Sequence, residues 1–269
     1  MSDRPATADP ILEIYEVCKT FGGIRAVDDA TFAVERGSIT ALIGPNGAGK
    51  TTLFNVITGF YRGERGIALF SGDPIFGRPP YLIARLGMVR TFQITKALAR
   101  MPVIDNMMLA APQQPGEKLR NVIFRPGASA RREREVRARA IELLEVFELD
   151  RLADAYAGTL SGGQRKLLEL ARALMTSPQM LLLDEPMAGI NPVLGARLLA
   201  HMQRLRSEQG VTFLFIEHDM QVVMGHSDHV IVMAEGHVIA EGAPDEVRSD
   251  QRVIDAYLGS GTVADEVQA

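Results

Sequence analysis

Lys50 and Thr51 end a glycine-rich stretch, Gly44-Pro45-Asn46-Gly47-Ala48-Gly49-Lys50-Thr51-Thr52, whose residue types and spacing suit a phosphate chain. The glycines let backbone amides turn inward around an anion. Lys50 is placed to reach the β- and γ-phosphates, and the Thr51 hydroxyl to reach a Mg²⁺ ion. A glycine-rich turn with an incidental lysine would share the composition but not the setting. Here the apolar run ITALI (39–43) precedes the loop, and Leu53, Phe54, Val56 and Ile57 follow at helical spacing, with Gly59 as a C-cap. A strand, a loop of this pattern and a helix whose positive end faces the anion together predict a nucleotide site.

Two acids form the second element of chemistry. LLLDEP (181–186) places Asp184 and Glu185 at the end of an apolar run. In a protein with such a phosphate loop, an aspartate there holds Mg²⁺ through water. The adjacent glutamate is suited to orient and polarise an attacking water. A helix-initiating acid before Pro186 is the plainer reading of Glu185. Glu217-His218-Asp219 ends another strand-like run, VTFLFI (211–216), so His218 is a candidate γ-phosphate contact.

A second glycine-rich stretch, Leu160-Ser161-Gly162-Gly163-Gln164, lies far downstream of the first. Ser161 and Gln164 form the S-x-x-Q of a capping box, which alone would explain them. The two glycines after the serine also expose amides beside a helix N-terminus, which makes a second anion site. One phosphate loop already encloses its own side of a nucleotide. The economical expectation is that Ser161–Gln164 serves the ATP of another copy or of a related chain, in a head-to-tail pair.

These residues need a scaffold of strands and helices. ILEIYEV (11–17) and TFAV (31–34) read as strands, and GMVRTFQ (87–93) as a strand leading to Gln93. MLLLD (180–184) is a buried strand, 192–209 a helix, and HVIVMAEGHVIAEG (229–242) a hairpin turning at Glu235–Gly236. Residues 94–164 carry few strand signals. Within them RREREVRARAIELLEVFEL (131–149) is amphipathic, with Val136, Ala140, Leu143, Leu144 and Phe147 on one face. Glu133–Arg137 and Glu135–Arg139 are spaced as favourable pairs on its solvated face. The expected fold class is α/β: a P-loop NTPase core with a mostly parallel sheet, an N-terminal antiparallel β subdomain and a helical insertion. The expected boundaries are a loose tail at 1–9 and an ATPase domain at 10–242. That domain divides into a core (10–93 and 165–242) and a helical subdomain (94–164), and 243–269 form a C-terminal helix and tail.

A net charge of −4 gives no basic footprint for nucleic acid. Cys18 is the sole cysteine, which excludes an intrachain disulfide. The N-terminus lacks a signal-peptide apolar core, and no run approaches the ~20 apolar residues that span a bilayer. The chain is therefore expected in the cytoplasm, reaching a membrane only through a partner.

GPNGAGKTT, LSGGQ, LLLDEP, Gln93 in TFQ and His218 in EHDM, in this order over roughly residues 11–240, resemble the nucleotide-binding subunit of ATP-binding cassette (ABC) transporters. The resemblance implies that residues 44–52 bind ATP phosphates and that Thr51, Gln93 and Asp184 lie at Mg²⁺. It implies that Glu185 is the catalytic base and His218 the switch residue behind the phosphate. Phe21 falls where the family stacks an aromatic on adenine, and Ser161, Gly162, Gly163 and Gln164 face the partner's γ-phosphate. Asn191 departs from the family's usual aspartate. FGGIRAVDD, TGFYR, VRTFQ, DEPMAGINP, FIEHDM and the final DEVRSDQRVIDAYLG are most similar to the ATPases of branched-chain amino-acid importers. Urea or amide importers and the lipopolysaccharide-export ATPase share parts of this pattern.

The implied partners are a second ATPase chain, two membrane permeases and, indirectly, an extracytoplasmic substrate-binding protein, at the cytoplasmic side of the inner membrane. The segment 93–108, with Met101, Met107 and Met108, is the expected permease-docking surface, unless those methionines are ordinary core. A soluble ABC-type ATPase acting on nucleic acid and a non-catalytic nucleotide scaffold are the readings from other classes. The former lacks its usual insertions here, and Glu185 with His218 argues against the latter.

Overall fold

ITALI is buried at all five positions, and so is the run TFLFI at 212–216. Strands covered on both faces of a parallel sheet need apolar residues throughout, not in alternation. The computed structural model describes residues 9–91, 99–112 and 126–259, with the backbone alone at 126–129 and 259. The expectations for Gln93, for the tail at 1–8, for part of the docking segment and for 260–269 fall outside the described residues. The chain divides into two compact units.

The first unit comprises residues up to Arg90, Gln179–Ala188 and the chain from Met202. Its strands are β1 (Pro10–Phe21), β2 (Ile24–Glu35), β3 (Ile39–Ile43), β4 (Arg65–Phe70), β5 (Asp73–Pro74), β6 (Met88–Arg90), β7 (Met180–Asp184), β8 (Thr212–Ile216), β9 (His229–Ala234) and β10 (His237–Gly242). One sheet has the order β10-β9-β3-β8-β7-β6, parallel except for the β9–β10 hairpin. The other has the order β2-β1-β4-β5 and is antiparallel. Helix α1 (Lys50–Ile57) follows the glycine loop and buries Leu53, Phe54, Val56 and Ile57, the residues picked out by helical spacing. They join Ile11, Ile14, Phe70, Leu182, Ile216 and Met233 in one apolar core. The short α2 (Pro80–Arg85) precedes β6.

β1 and β2 run well beyond the expected segments at 11–17 and 31–34. Glu16 (φ 47°) and Asp29 (φ 53°) are left-handed, and the register shifts around both. Such bulges break the alternation from which a strand is read. β6 is shorter than the expected 87–93, ending at Arg90 within the described residues.

The second unit comprises Thr91–Pro178 and Gly189–His201. Its helices are α3 (Val103–Ala110), α4 (Pro126–Val146), α5 (Gly162–Leu174) and the start of α6 (Pro192–Gln209). Val136, Ala140, Leu143, Leu144 and Phe147 are buried, as the amphipathic pattern requires. They pack with Val103, Ile104 and Met107 of α3 and with Leu167, Leu170, Ala171 and Leu174 of α5. The helical unit thus extends past the expected boundary at Gln164, because α5 buries its apolar face against α3 and α4. Met107 is core, Met101 and Met108 are half-buried, and Leu109 is the exposed apolar residue of α3. Among the described residues, the surface ion pairs of α4 are Arg131–Glu135, Arg132–Glu135 and Arg139–Glu142. Glu135 therefore pairs towards the N-terminus, not with Arg139 as its spacing allowed.

The C-terminal segment of the first unit holds α7 (Met220–His226), α8 (Pro244–Arg248) and α9 (Gln251–Gly259). Among the described residues no helix is long and apolar enough to cross a membrane.

Candidate functional site

The glycine loop leaves β3 and enters α1. Gly44 (φ 143°) and Gly49 (φ 99°) hold backbone geometry that L side chains avoid. A Cβ at Gly44 would sit 2.0 Å from the Met233 carbonyl oxygen, and one at Gly49 would sit 2.1 Å from that of Ala26. Both glycines are thus required by close backbone approach. Pro45, Asn46 and Gly47 form the outer arc, with Asn46, Gly47 and Thr51 exposed. The Ala48 carbonyl accepts a hydrogen bond from the Gly236 amide (3.1 Å), and the Gly236 carbonyl accepts from Asp28 N–H (2.9 Å). The hairpin turn of β9–β10 thereby pins the loop to β2.

Lys50 is buried, and its ammonium donates to the carbonyls of Gly44 (2.7 Å) and Pro45 (3.0 Å). Burial pushes its pKa down, and the nearby charges of Glu185 and Asp184 oppose that shift. The loop amides and the α1 N-terminus direct positive potential into the same loop.

In the sheet, β8 stands between β3 and β7. Asp184 and Glu185 leave β7 in opposite directions. The Asp184 carboxylate meets Arg90 at the end of β6, with Nη2 to Oδ2 at 2.7 Å, and each side chain is only 9% exposed. The other arm of Arg90 donates from Nη1 to Asn55 Oδ1 of α1 at 2.7 Å. Glu185 adopts φ 49°, and its amide donates to the Ile216 carbonyl (3.1 Å). Its Oε1 lies 2.7 Å from His218 Nε2. An imidazole protonated at Nε2 donates to that carboxylate and fixes the direction of its second oxygen.

Behind this pair, Glu217 is buried and accepts the amides of Met187 (2.7 Å) and His218 (3.1 Å). Burial raises the Glu217 carboxyl above its ordinary range; the two backbone donors and His218 pull it down, and the charge of Glu185 adds to the rise. The carboxylate ties the turn after Glu185 to the end of β8. Neither Arg90 nor Glu217 was given a role from sequence. Their signal was a charged residue within or directly after an apolar strand-like run, which by itself names no partner.

Phe21 ends β1 and is 45% exposed, which leaves its ring accessible to a flat ligand. It meets Tyr61 edge-on (5.3 Å between centroids), and Lys19 Nζ lies 4.9 Å from its ring centre. Thr51 and Asp184 are hard oxygen donors, which suits a divalent cation such as Mg²⁺.

Ser161–Gln164 belong to the helical unit. The full capping box is present: Ser161 Oγ accepts the Gln164 amide (3.2 Å) and Gln164 Oε1 accepts the Ser161 amide (2.9 Å). Ser161 and Gly162 are exposed at the head of α5, while Gly163 is buried. A Cβ at Gly163 would sit 2.0 Å from Leu194 Cδ2. Asn191, which stands where aspartate was expected, uses its carboxamide oxygen to accept the Leu194 amide (2.9 Å) and so caps α6. An amide serves that cap as well as a carboxylate.

A glycine loop between β3 and α1, with an Asp-Glu strand end one strand removed, defines the molecule as a P-loop nucleoside triphosphatase. The family described as "ABC transporter" matches residues 27–188, and "Branched-chain amino acid ATP-binding cassette transporter" matches residues 237–262. The chain belongs to the ABC transporter family, as its ATP-hydrolysing cassette. The probable branched-chain amino acid transport ATP-binding protein LivG of Archaeoglobus fulgidus is 43% identical over 93% of this chain and 96% of its own length. The high-affinity branched-chain amino acid transport ATP-binding protein BraF of Pseudomonas aeruginosa is 43% identical over 93% of this chain and 98% of its own. Among solved structures, a nucleotide-free cassette of an ABC transporter superposes with a TM-score of 0.80, at 39% identity over 92% of this chain and 98% of that one.

Proposed function

We propose that this chain energises uptake of branched-chain amino acids, as one of two ATPase chains bound to a pair of membrane permeases that receive substrate from an extracytoplasmic binding protein. It works at the cytoplasmic face of the inner membrane, carried by those permeases. The reading of the cargo rests on the similarity to LivG and BraF over nearly the whole chain and on the match at residues 237–262. The second ATPase chain is a related one.

The observation that carries the catalytic reading is the 2.7 Å contact between Glu185 and His218 beside the phosphate loop. Phe21 stacks on adenine, and residues 44–52 hold the phosphates with Lys50 at the γ-phosphate end. Thr51, Asp184 and Gln93 hold Mg²⁺, which supplies charge stabilisation to the phosphate oxygens when bound. Glu185, oriented by His218, accepts the proton of the attacking water. Ser161, Gly162, Gly163 and Gln164 complete the site of the partner chain, so loss of the γ-phosphate releases the pair.

Glu185→Gln tests this directly. The variant is expected to bind ATP, to lose nearly all phosphate release and to trap an associated pair, read by light scattering with and without ATP. Turnover at the wild-type rate would remove Glu185 from its role. For the cargo, the complex co-purified from membranes and reconstituted in vesicles is expected to import leucine in preference to urea.

A further inference from the structure

We infer that Arg90 is a positioning residue for the metal-side carboxylate, setting the spacing between the two elements that present oxygen donors to Mg²⁺. The inference rests on the reading of Asp184 as one of those donors. Arg90 is the last residue of β6, and its guanidinium spans two elements of the site. Nη2 holds Asp184 Oδ2 on β7, and Nη1 holds Asn55 Oδ1 on α1, both at 2.7 Å. Asn55 follows Thr51 by four residues on α1, so the two share a face of that helix. The strand carrying Asp184 and the helix carrying Thr51 are thus bolted together through one rigid, planar group.

Three features make this more than a surface ion pair. Arg90 and Asp184 side chains are each 9% exposed, so water and salt screen the contact little. The guanidinium carbon lies 5.7 Å from the centre of the buried Phe54 ring, which limits its tilt. The fork of an arginine fixes two acceptors in one plane, which the single ammonium of a lysine cannot do. With Oδ2 taken, Oδ1 of Asp184 has no hydrogen bond among the described residues and is left as the acceptor for a metal-bound water. Groups that orient metal donors typically contribute about 10-fold or more in metal affinity.

A guanidinium acting only as a nearby positive charge predicts the opposite sign, since its removal would tighten a cation. The experiment measures binding of a fluorescent ATP analogue to the full-length protein, first in EDTA and then against rising Mn²⁺. Arg90→Met is expected to leave the metal-free affinity within about twofold and to raise the half-saturating Mn²⁺ concentration about 10-fold. Arg90→Lys and Asn55→Ala, which each keep one arm of the bridge, are expected to raise it by smaller factors. These two decide the matter if Arg90→Met does not fold. Half-saturation that is unchanged or lower in the Arg90 variants would overturn the inference. So would a loss of affinity that is equal with and without metal. Asp184→Asn serves as the reference: if it leaves the Mn²⁺ response unmoved, the metal role of Asp184 fails and takes the inference with it.

Discussion

Glu185 holds a left-handed backbone, φ 49°, at the position proposed here as the catalytic base. For a residue with a Cβ this conformation costs about 1–2 kcal/mol, and glycine is exempt. Replacing Glu185 by Ala and by Gly isolates that cost. Both variants lose the carboxylate and its contact with His218. Both keep the backbone bonds from the Glu185 amide to Ile216 and from the Ala188 amide to the Glu185 carbonyl, at 3.1 and 3.2 Å. They differ in one methyl group and in the freedom of the unfolded chain, where glycine loses about 0.4–1 kcal/mol more than alanine on folding. The balance leaves Glu185→Gly more stable than Glu185→Ala by about 0.5–1 kcal/mol. A chain of this size then shows a melting temperature about 1–4 °C higher for the glycine variant. The sign is diagnostic, because at an ordinary helical site glycine is the less stable by about 1 kcal/mol. Paired thermal and urea unfolding of the two variants measures it, and phosphate release should be absent in both. An alanine variant as stable as the glycine variant would refute the claim that backbone strain is stored at this residue.

Glu217→Gln should change how stability depends on pH. Burial raises the carboxyl in the folded state, so folding takes up a proton between the ordinary glutamate range and the higher folded value. The contribution of Glu217 is therefore greatest at low pH and is lost as pH rises through the folded-state value. The stability of Glu217→Gln relative to wild type should climb across that window, read by urea unfolding from about pH 4 to about pH 8. Ser161→Ala removes the acceptor of the Gln164 amide but leaves the reciprocal bond. It should cost about 0.5–1 kcal/mol in urea unfolding of the isolated chain and spare its ATP binding.

The strain at Glu185 has a geometric return. Strand alternation would continue past Asp184, but the left-handed turn ends it. Asp184 reaches Arg90 on one neighbouring strand, and Glu185 reaches His218 beyond the other. Two adjacent acids are thereby kept on separate partners, which the proposed division into a metal-side donor and a water-side base requires.

The sequence carried the parallel sheet well, because β3, β7 and β8 are uninterrupted apolar runs bounded by chemistry-bearing residues. The capping box at Ser161–Gln164 was legible because it is local. β4 was not anticipated: RGIALF alternates weakly, and its pairing with β1 is set by residues far away in the chain. The Arg90–Asp184 bridge joins positions 94 residues apart, and no spacing rule reports such a contact. The helical boundary was misplaced because α5 reads equally well as part of either unit until its buried face is matched to α3 and α4.

The pinning of the glycine loop by Gly236 also says when that loop can exist. β3 is flanked by β8 and β9, which end at Ile216 and Ala234, and the loop's own carbonyl is bonded by Gly236. On the ribosome, the phosphate cradle is made before the strands and the turn that hold it. A nascent chain broken off after His218 would carry LSGGQ, the acids and the histidine, yet its cradle would lack both β9 and the hairpin turn that hold it. Competence for ATP therefore waits until β9 and the turn at Gly236 have been made.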